Sequence, residues 1–328
     1  LVRAEGEPDL LQISGGEPTL HPQILDILKA AKARPIRHVM LNTNGVRIAR
    51  DPAFVDALAA LGRGFEVYLQ FDSRRPEALR ALRGADLTRV RSEALDALEA
   101  RGISTTLVCV VARGVNDDEV ADVVRHALTY RCVRGVTFQP VQSAGRTEGL
   151  GGADRRILLT DLRRALTVEG ALFTPADVVP LPCNPENIAI AYAIRSGSSL
   201  TPVTSLLPRD LFVRESANAI AFEKLPELKK RVLEALSLGS AGASAAEALG
   251  GLLCCLPEFE VPRELTYENV FRVAIVQFLD RFNFDLGQVK RSCVHFVVPG
   301  GRMIPFDTYN LFYRDGLGAR LRREGVAV

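Results

Sequence analysis

The first half of the chain alternates short apolar runs, rich in branched residues, with longer stretches that have the period of an amphipathic helix. This alternation is typical of βα units, in which helices connect the strands of a parallel sheet. Five strands are predicted, at residues 10–14, 37–42, 66–71, 104–111 and 135–140. Helices are predicted between them, at residues 22–33, 52–61, 87–101 and 117–130. Periodicity alone does not separate a doubly wound sheet from a β/α barrel.

Two helices carry their own start signals. Asn116 can cap the helix at 117–130, and Glu119, three residues on, can reach back to the cap. Thr160 can cap a further helix that runs to about residue 166. The regular βα pattern ends with that helix.

From about residue 171 the chain becomes rich in proline and its pattern is less regular. We therefore expect two domains, at residues 1–170 and 171–328, the second being a smaller α+β module. Residues 237–251, rich in Ala, Gly and Ser, indicate a flexible insertion. The other predictions for this part are a strand at 188–194, an apolar core helix at 267–282, and a hairpin of 293–298 with 302–306. A core helix is the simplest interpretation of 267–282, although an apolar channel for an alkyl substrate would use the same residues.

The composition is that of an ordinary globular protein, with 47% apolar and 24% charged residues in 328. The 41 basic and 39 acidic residues nearly balance, which argues against a nucleic-acid interface or a polybasic membrane patch. No run approaches the ~18 apolar residues of a membrane span, and no signal segment opens the chain. We expect a cytoplasmic protein, with or without peripheral attachment to a membrane. Because residue 1 is Leu and a strand follows almost at once, we also expect the sequence to be truncated at its N-terminus.

The segment Ser14-Gly15-Gly16-Glu17-Pro18 lies directly after the first predicted strand and before a helix. Two glycines allow the backbone to approach a ligand closely, and the Glu17 carboxylate suits a bound ammonium group. Polar residues also follow the other strands, and in a β/α barrel the strand C-termini form the ligand-binding rim. Such residues commonly just cap helices, but five rims together favour a binding site. The candidate residues are Gly15, Gly16, Glu17, Pro18, Asn42, Asn44, Gln70, Asp72 and Gln139.

Gly15-Gly16-Glu17-Pro18 after a strand resembles the GGEP motif of radical S-adenosylmethionine (SAM) enzymes, which contacts the amino group of SAM in that superfamily. The chain is also similar to the branch that includes tetraether lipid synthase and a dihydro-hydroxymethylpterin methyltransferase. The similar segments cover most of the chain, and they are LNTNG at 41–45, YLQFD at 68–72, RGVND at 113–117, FQPV at 138–141, SCVHF at 292–296 and IPFDTYN at 304–310. The last of these segments either lines the pocket or anchors the hairpin to the barrel.

This resemblance implies a partial (β/α)6 barrel and two cofactors, SAM and a [4Fe–4S] cluster. The defining CxxxCxxC loop follows the first strand of the family and is not present in this sequence. We therefore expect the barrel to lack its first strand here, and this fragment alone to be inactive. By the same resemblance, Glu17 would hold the amino group of SAM, and the strand-end residues Asn42, Asn44, Gln70 and Asp72 its carboxylate and ribose.

Six widely spaced cysteines form no CxxC-type cluster. Cys109 and Cys132 are assigned to packing. The other four lie beside turn-forming or polar residues, and because the similar proteins carry auxiliary clusters, an auxiliary [4Fe–4S] site is predicted. Its candidate ligands are Cys183, Cys254, Cys255 and Cys293. The alternative is that they are small buried hydrophobic residues, the commoner case for free cysteine.

The leading functional prediction, implied by the resemblance, is an enzyme that generates a 5′-deoxyadenosyl radical and forms a C–C bond on a lipid-like substrate. One alternative is radical C-methylation of a pterin-like ring, and another is a non-catalytic relic that binds SAM or a cluster. The expected partners are a small-molecule or lipid substrate and a low-potential electron donor such as ferredoxin or flavodoxin, without nucleic acid.

Overall fold

The computed structural model describes residues 1–144, 155–182, 184–196, 199–207, 226–233 and 266–314. The strands are β1 (Leu10–Ile13), β2 (His38–Thr43), β3 (Phe65–Gln70), β4 (Thr105–Val111), β5 (Val133–Pro140), β6 (Val179–Pro180), β7 (Ile188–Ser196), β8 (Ser199–Pro202), β9 (Val270–Val276), β10 (His295–Val298) and β11 (Arg302–Pro305). The first eight helices are α1 (Val2–Glu5), α2 (Ile24–Lys32), α3 (Val46–Arg50), α4 (Pro52–Ala59), α5 (Pro76–Arg83), α6 (Thr88–Glu99), α7 (Val120–Leu128) and α8 (Leu159–Leu166). Short helices also cover 226–233, Leu286–Val289 and Phe306–Thr308.

One nine-stranded sheet organises the protein, with β1, β2, β3, β4, β5, β9, β7 and β6 side by side and β8 paired to β7. The strands from β1 to β5 and then β9 are parallel, and β7 returns antiparallel to β9. The predicted α/β class is therefore confirmed, and the five predicted strands of the first half form as expected. The strands after residue 170 join the same sheet. The predicted boundary at residue 170 thus does not coincide with an edge of the sheet, and the division into two domains stays a prediction.

The predicted helix at 267–282 is wrong, because its central part is strand β9. Val270 and Phe271 are both buried, so the strand is covered on both faces and shows no alternation of apolar and polar residues. A short, continuously apolar run of this kind cannot be told from a buried helix by period alone. β9 lies against β5 at Gly135, where an added Cβ would come within 2.4 Å of the Arg272 carbonyl oxygen.

The two faces of the sheet differ in character. The outer face is apolar and packs against the helices, with Leu41, Val67, Leu107, Phe138 and Val273 in its core. The inner face is largely polar over β2 to β5, because neighbouring residues in register point to the same side. Its aligned residues are His38, Met40, Asn42, Glu66, Tyr68, Gln70, Thr106, Val108, Val110, Gly135, Thr137, Gln139 and Arg272.

The hairpin of β10 and β11 is confirmed, with its turn at Gly300 and Gly301. The segment that follows it carries Asp307, whose Oδ1 accepts a hydrogen bond from the Leu279 backbone N–H at 2.6 Å. Phe306 stacks on Phe278 and on Phe296. These contacts anchor the hairpin to the segment after β9, which was one of the two roles predicted for residues 305–310. No helix in the described part of the chain is both long and apolar enough to cross a bilayer.

Candidate cofactor site at the strand ends

The C-terminal ends of β1, β2 and β3 present a row of polar side chains on the inner face. The Asn42 amide nitrogen lies 3.5 Å from the Ser14 hydroxyl oxygen. The Gln70 amide nitrogen lies 3.4 Å from Asn42 Oδ1. Hydrogen bonds of this length are weak. The side-chain amides of Asn42 and Gln70 are therefore close together but only weakly hydrogen-bonded. A bound ligand can compete for them.

Gly15 and Gly16 form an exposed rim beside this row. A Cβ added at either position would meet no atom within 4 Å. The backbone is thus open to a ligand on this side, as the sequence predicts. Pro18 follows at the first position of a short 3-10 helix, Pro18–Leu20, which turns the chain away from the rim.

Hydrogen bonds of the Glu17 carboxylate connect the Gly15–Pro18 loop to the end of β2. Its Oε1 accepts hydrogen bonds from the backbone N–H and the hydroxyl of Thr19, at 3.1 and 2.7 Å, and from the Thr43 hydroxyl at 2.7 Å. Its Oε2 accepts from the Asn44 backbone N–H at 2.7 Å. The carboxylate therefore supports the loop from within, and Oε2 keeps capacity for one more donor.

Arg47 makes a second connection between the same two strand ends. Its NH1 donates to the Thr19 carbonyl oxygen at 2.9 Å, and its guanidinium lies 4.0 Å over the Phe54 ring. Asp51 holds Arg47 Nε at 3.2 Å and also caps α4 through the Phe54 N–H. The Gly15–Pro18 loop is thus held in place by side chains from β2, α3 and α4.

Two of the predicted site residues, Asp72 and Asn44, use their side chains to bind other parts of the protein. Asp72 is 1% exposed, and Arg83 binds its two carboxylate oxygens at 2.7 Å each. Its backbone has a φ of +64°, which is rare for a residue with a side chain. The Asn44 side chain accepts from the Val46 N–H at 2.9 Å and so supports the start of α3. Both residues lie at the strand ends, but the Asp72 carboxylate and the Asn44 amide oxygen bind other groups of the protein.

The predicted cap of the helix at 117–130 is wrong. The helix begins at Val120, and Asn116 is buried between two strand ends. Its amide nitrogen donates to the carbonyls of Asp72 and Val110, at 2.9 and 2.8 Å, and its oxygen accepts from the Ala112 N–H. Glu119 accepts from the Ser73 hydroxyl instead of returning to Asn116. Backbone groups at the ends of β3 and β4 need partners, and they compete successfully for both side chains.

Gln139 lies on the inner face at the end of β5, with its amide nitrogen 3.4 Å from the Tyr68 hydroxyl oxygen. Tyr68 was not among the predicted site residues, although its alternation with Gln70 in β3 is the signal that places both on one face. Desolvation raises the pKa of Tyr68 to about 12, and the nearby Glu66 acts in the same direction. The phenol is therefore neutral at pH 7 and can donate a hydrogen bond.

The cysteines are placed as follows. Cys109 and Cys132 are buried in the core, and desolvation raises the pKa of both thiols. Cys293 is exposed before β10. Cys183, Cys254 and Cys255 lie outside the described residues. Within the described ranges, no three His, Cys, Asp or Glu side chains are grouped so as to hold a metal ion. The auxiliary cluster stays a prediction.

Comparison with known proteins gives a consistent family. The model described as the radical SAM superfamily matches residues 2–127. A 7,8-dihydro-6-hydroxymethylpterin dimethyltransferase from Methanocaldococcus jannaschii is 27% identical over 93% of this chain, which spans 67% of that protein. A GTP 3',8-cyclase from Chlorobaculum tepidum is 33% identical over 69% of this chain and 72% of that protein. Structures of Streptococcus suis SuiB, bound to its precursor peptide or to S-adenosylmethionine, are 19% and 17% identical and cover 48% of this chain. They give TM-scores of 0.39 and 0.38, and the chain covers 33% and 34% of SuiB.

The match to GTP 3',8-cyclase is extensive on both chains. The family model covers the segment from α1 into α7, which includes the Gly15–Pro18 loop. The cofactors of this family are SAM and a [4Fe–4S] cluster. On these grounds the chain belongs to the radical SAM superfamily.

Proposed function

We propose that this chain belongs to an enzyme that uses SAM to functionalise a polar fused heterocycle of the pterin or guanine type, with C-methylation as the favoured reaction. Two named relatives act on a hydroxymethylpterin and on GTP. Both compounds contain a fused ring with an amino group, a carbonyl group and ring nitrogens along one edge. The observation that carries the proposal is the polar inner face of the sheet beside the Gly15–Pro18 loop.

The residues at the strand ends fit SAM. Gly15 and Gly16 leave room for a ligand to lie on the backbone, and Glu17 Oε2 can accept a hydrogen bond from an ammonium group. We assign the ligand's carboxylate and ribose to the amides of Asn42 and Gln70, and a further contact to Gln139. In this proposal Asn44 and Asp72 support the rim, because the Asn44 amide oxygen and the Asp72 carboxylate are engaged within the protein.

The cluster is a different case. Its usual ligands are three cysteine thiolates. Among the described residues only Cys293 is an exposed cysteine, and no suitable metal-binding group is present there. The described residues therefore do not fit a [4Fe–4S] cluster. None of them is assigned a role in holding one. A low-potential electron donor such as ferredoxin or flavodoxin belongs to the same proposal.

SAM, when bound, supplies radical or methyl-transfer chemistry at an unactivated carbon. The protein's own contribution is to bind the substrate and orient its reacting carbon. The inner face offers hydrogen-bonding groups for the edge of a heterocycle from Tyr68 and Gln139, which are both half-buried. The apolar side chains on the same face can pack against the flat surface of the ring, and they are Met40, Val108 and Val110.

A lipid-like substrate is less well supported. An alkyl chain would lie against the polar side chains of this face, such as Tyr68 and Gln139, and it has no group that could hydrogen bond to them. The predicted apolar channel at 267–282 is not available as a helix, since Val270–Val276 is strand β9. The pterin-like alternative therefore replaces the lipid as our favoured substrate class.

The proposal is tested by measuring equilibrium binding of 7,8-dihydro-6-hydroxymethylpterin and of a dispersed ether lipid to the anaerobic protein, with and without SAM. We expect the pterin to bind and the lipid not to bind. Tyr68→Phe should weaken pterin binding by up to about tenfold, the effect of one lost hydrogen bond. The matched control is Tyr130→Phe, whose hydroxyl contacts Asp96 on the outer side of the sheet, and it should change nothing. Saturable lipid binding, or unchanged pterin affinity in Tyr68→Phe, would contradict the proposal.

A further inference from the structure

Arg91 of α6 is a buried cation directly beneath the turn that follows β2. It is 2% exposed, and its NH1 donates to the Asn44 carbonyl oxygen. Its NH2 lies 3.8 Å from Asp72 Oδ2. In the described part of the protein, Arg91 Nε and NH2 have no hydrogen-bond partner. Buried polar atoms in this condition are uncommon and call for an explanation.

The fold gains little from this charge. Desolvation lowers the pKa of Arg91, although Asp72 acts in the opposite direction. Asp72 does not depend on Arg91, because Arg83 binds both of its carboxylate oxygens. Removing one partner of a buried ion pair is costly when the other charge is left uncompensated, but Asp72 would keep Arg83. Pairing with Asp72 therefore does not account for Arg91.

The turn at Asn44 and Gly45, next to Arg91, is fixed by contacts with several side chains. The Asn44 N–H donates to Glu17 Oε2, so the two peptide groups on either side of the Asn44 Cα are bound by Glu17 and by Arg91. The next residue, Gly45, has a φ of +77°, and an added Cβ would lie 2.7 Å from Leu69 Cδ1. Arg91 is thus in a position to fix the backbone that carries the Glu17 contact.

We propose that Arg91 is a positioning residue for the SAM site. By holding the Asn44 carbonyl, it keeps the Asn44 N–H directed at Glu17, and Glu17 in turn sets the position of the Gly15–Pro18 loop. This inference rests on the proposed role of that loop in binding SAM. It adds a residue that touches neither the loop nor the inner face, and it explains why a costly buried charge is placed there.

The test is Arg91→Met, which keeps an unbranched side chain but removes the guanidinium group and its charge. The control is Arg89→Met in the same helix, since the Arg89 side chain is 86% exposed and pairs only with Glu93 among the described residues. Three quantities are measured on the full anaerobic chain. They are the dissociation constant for SAM, the urea midpoint of unfolding, and the hydrogen-exchange rate of the backbone amides at 42–47.

We expect Arg91→Met to bind SAM at least tenfold more weakly and to exchange faster at 42–47, with only a small fall in the urea midpoint because the Asn44 carbonyl loses its donor. Arg89→Met should match the wild type in all three. Wild-type SAM affinity in Arg91→Met would overturn the inference and leave the proposed function standing. A large fall in the urea midpoint would show that Arg91 is structural, which also overturns it. Failure of the wild-type protein to bind SAM would instead remove the proposed function and this inference together.

Discussion

The Glu17 Oε2 atom accepts a hydrogen bond from the Asn44 backbone N–H at 2.7 Å, across 27 positions of sequence. This contact joins the loop after β1 to the turn after β2. Oε1 of the same carboxylate takes the hydroxyls of Thr19 and Thr43, which are both buried. One side chain therefore sets the relative position of two strand ends that form the rim of the proposed cofactor site.

The first prediction concerns this carboxylate. Glu17→Ala leaves two buried hydroxyls and two backbone N–H groups without their acceptor, and each such buried group costs about 1–3 kcal/mol. We expect the free energy of unfolding to fall by at least about 2 kcal/mol, and SAM affinity to fall as well. Urea unfolding and SAM titration measure the two effects.

The control for this change is Glu7→Ala, because the Glu7 side chain is 70% exposed and lies 3.7 Å from Arg37. Exposed ion pairs contribute little, so this variant should behave as the wild type. Undiminished stability in Glu17→Ala would show that the loop does not depend on the contacts described here.

A second prediction tests the position of β9. Gly135→Ala places a methyl group 2.4 Å from the Arg272 carbonyl oxygen, in backbone that cannot move aside without separating β5 from β9. We expect a loss of about 2–4 kcal/mol in the free energy of unfolding, as for other overpacked sites. Gly16→Ala is the stability control, since its added methyl group meets nothing within 4 Å. Equal stability of the two variants would show that β5 and β9 are not this close.

The third prediction is a pH dependence from Asp307. Desolvation raises its pKa from 3.8 to about 6, although the hydrogen bond from the Leu279 N–H acts the other way. The folded state therefore holds this proton more tightly than the unfolded state. By linkage, Asp307 reduces stability as the pH rises from about 4 to about 6, by about 3 kcal/mol at most, and the loss persists above that range.

Asp307→Asn mimics the protonated group at every pH. We expect the variant to match the wild type near pH 4 and to be more stable at pH 7 in urea unfolding. Asp285→Asn is the matched control, because Asp285 only caps the Leu286–Val289 helix at an exposed position. A variant that is less stable than the wild type at pH 7 would show that the ionised carboxylate is favourable in the folded protein.

The sequence predicts the first half of the fold well because local signals and tertiary contacts agree there. The strands from β1 to β5 are branched apolar runs, and each is followed by polar residues that do lie at one edge of the sheet. The Gly15–Pro18 loop could be identified for the same reason. Helix α5, which starts at Pro76, was not predicted, because its apolar face is narrow and buries Ala78 and Leu79 alone.

The predictions that failed depend on partners distant in sequence. Val270–Val276 was interpreted as helix because its apolar residues are continuous, and only pairing with β5 and β7 makes it a strand. Asn116 has the chemistry of a helix cap, but the carbonyls of Asp72 and Val110 bind it instead. Asp72 follows a strand, as a ligand-binding residue would, but its carboxylate is buried and bound by Arg83. The pattern of residues in one sequence does not show which of several possible partners a side chain or strand will bind.

The parallel pairing of β5 with β9 also has a consequence for how the protein is made. Arg134 in β5 donates a hydrogen bond to the carbonyl of Glu268 before β9, and the two residues are 134 positions apart. During synthesis, the edge of β5 that pairs with β9 stays unpaired until the segment containing β9 has left the ribosome. Unpaired strand edges of this kind attract other chains, and pairing over such separations is slow. The sheet is therefore most vulnerable to aggregation on the ribosome, in the interval between the emergence of these two strands.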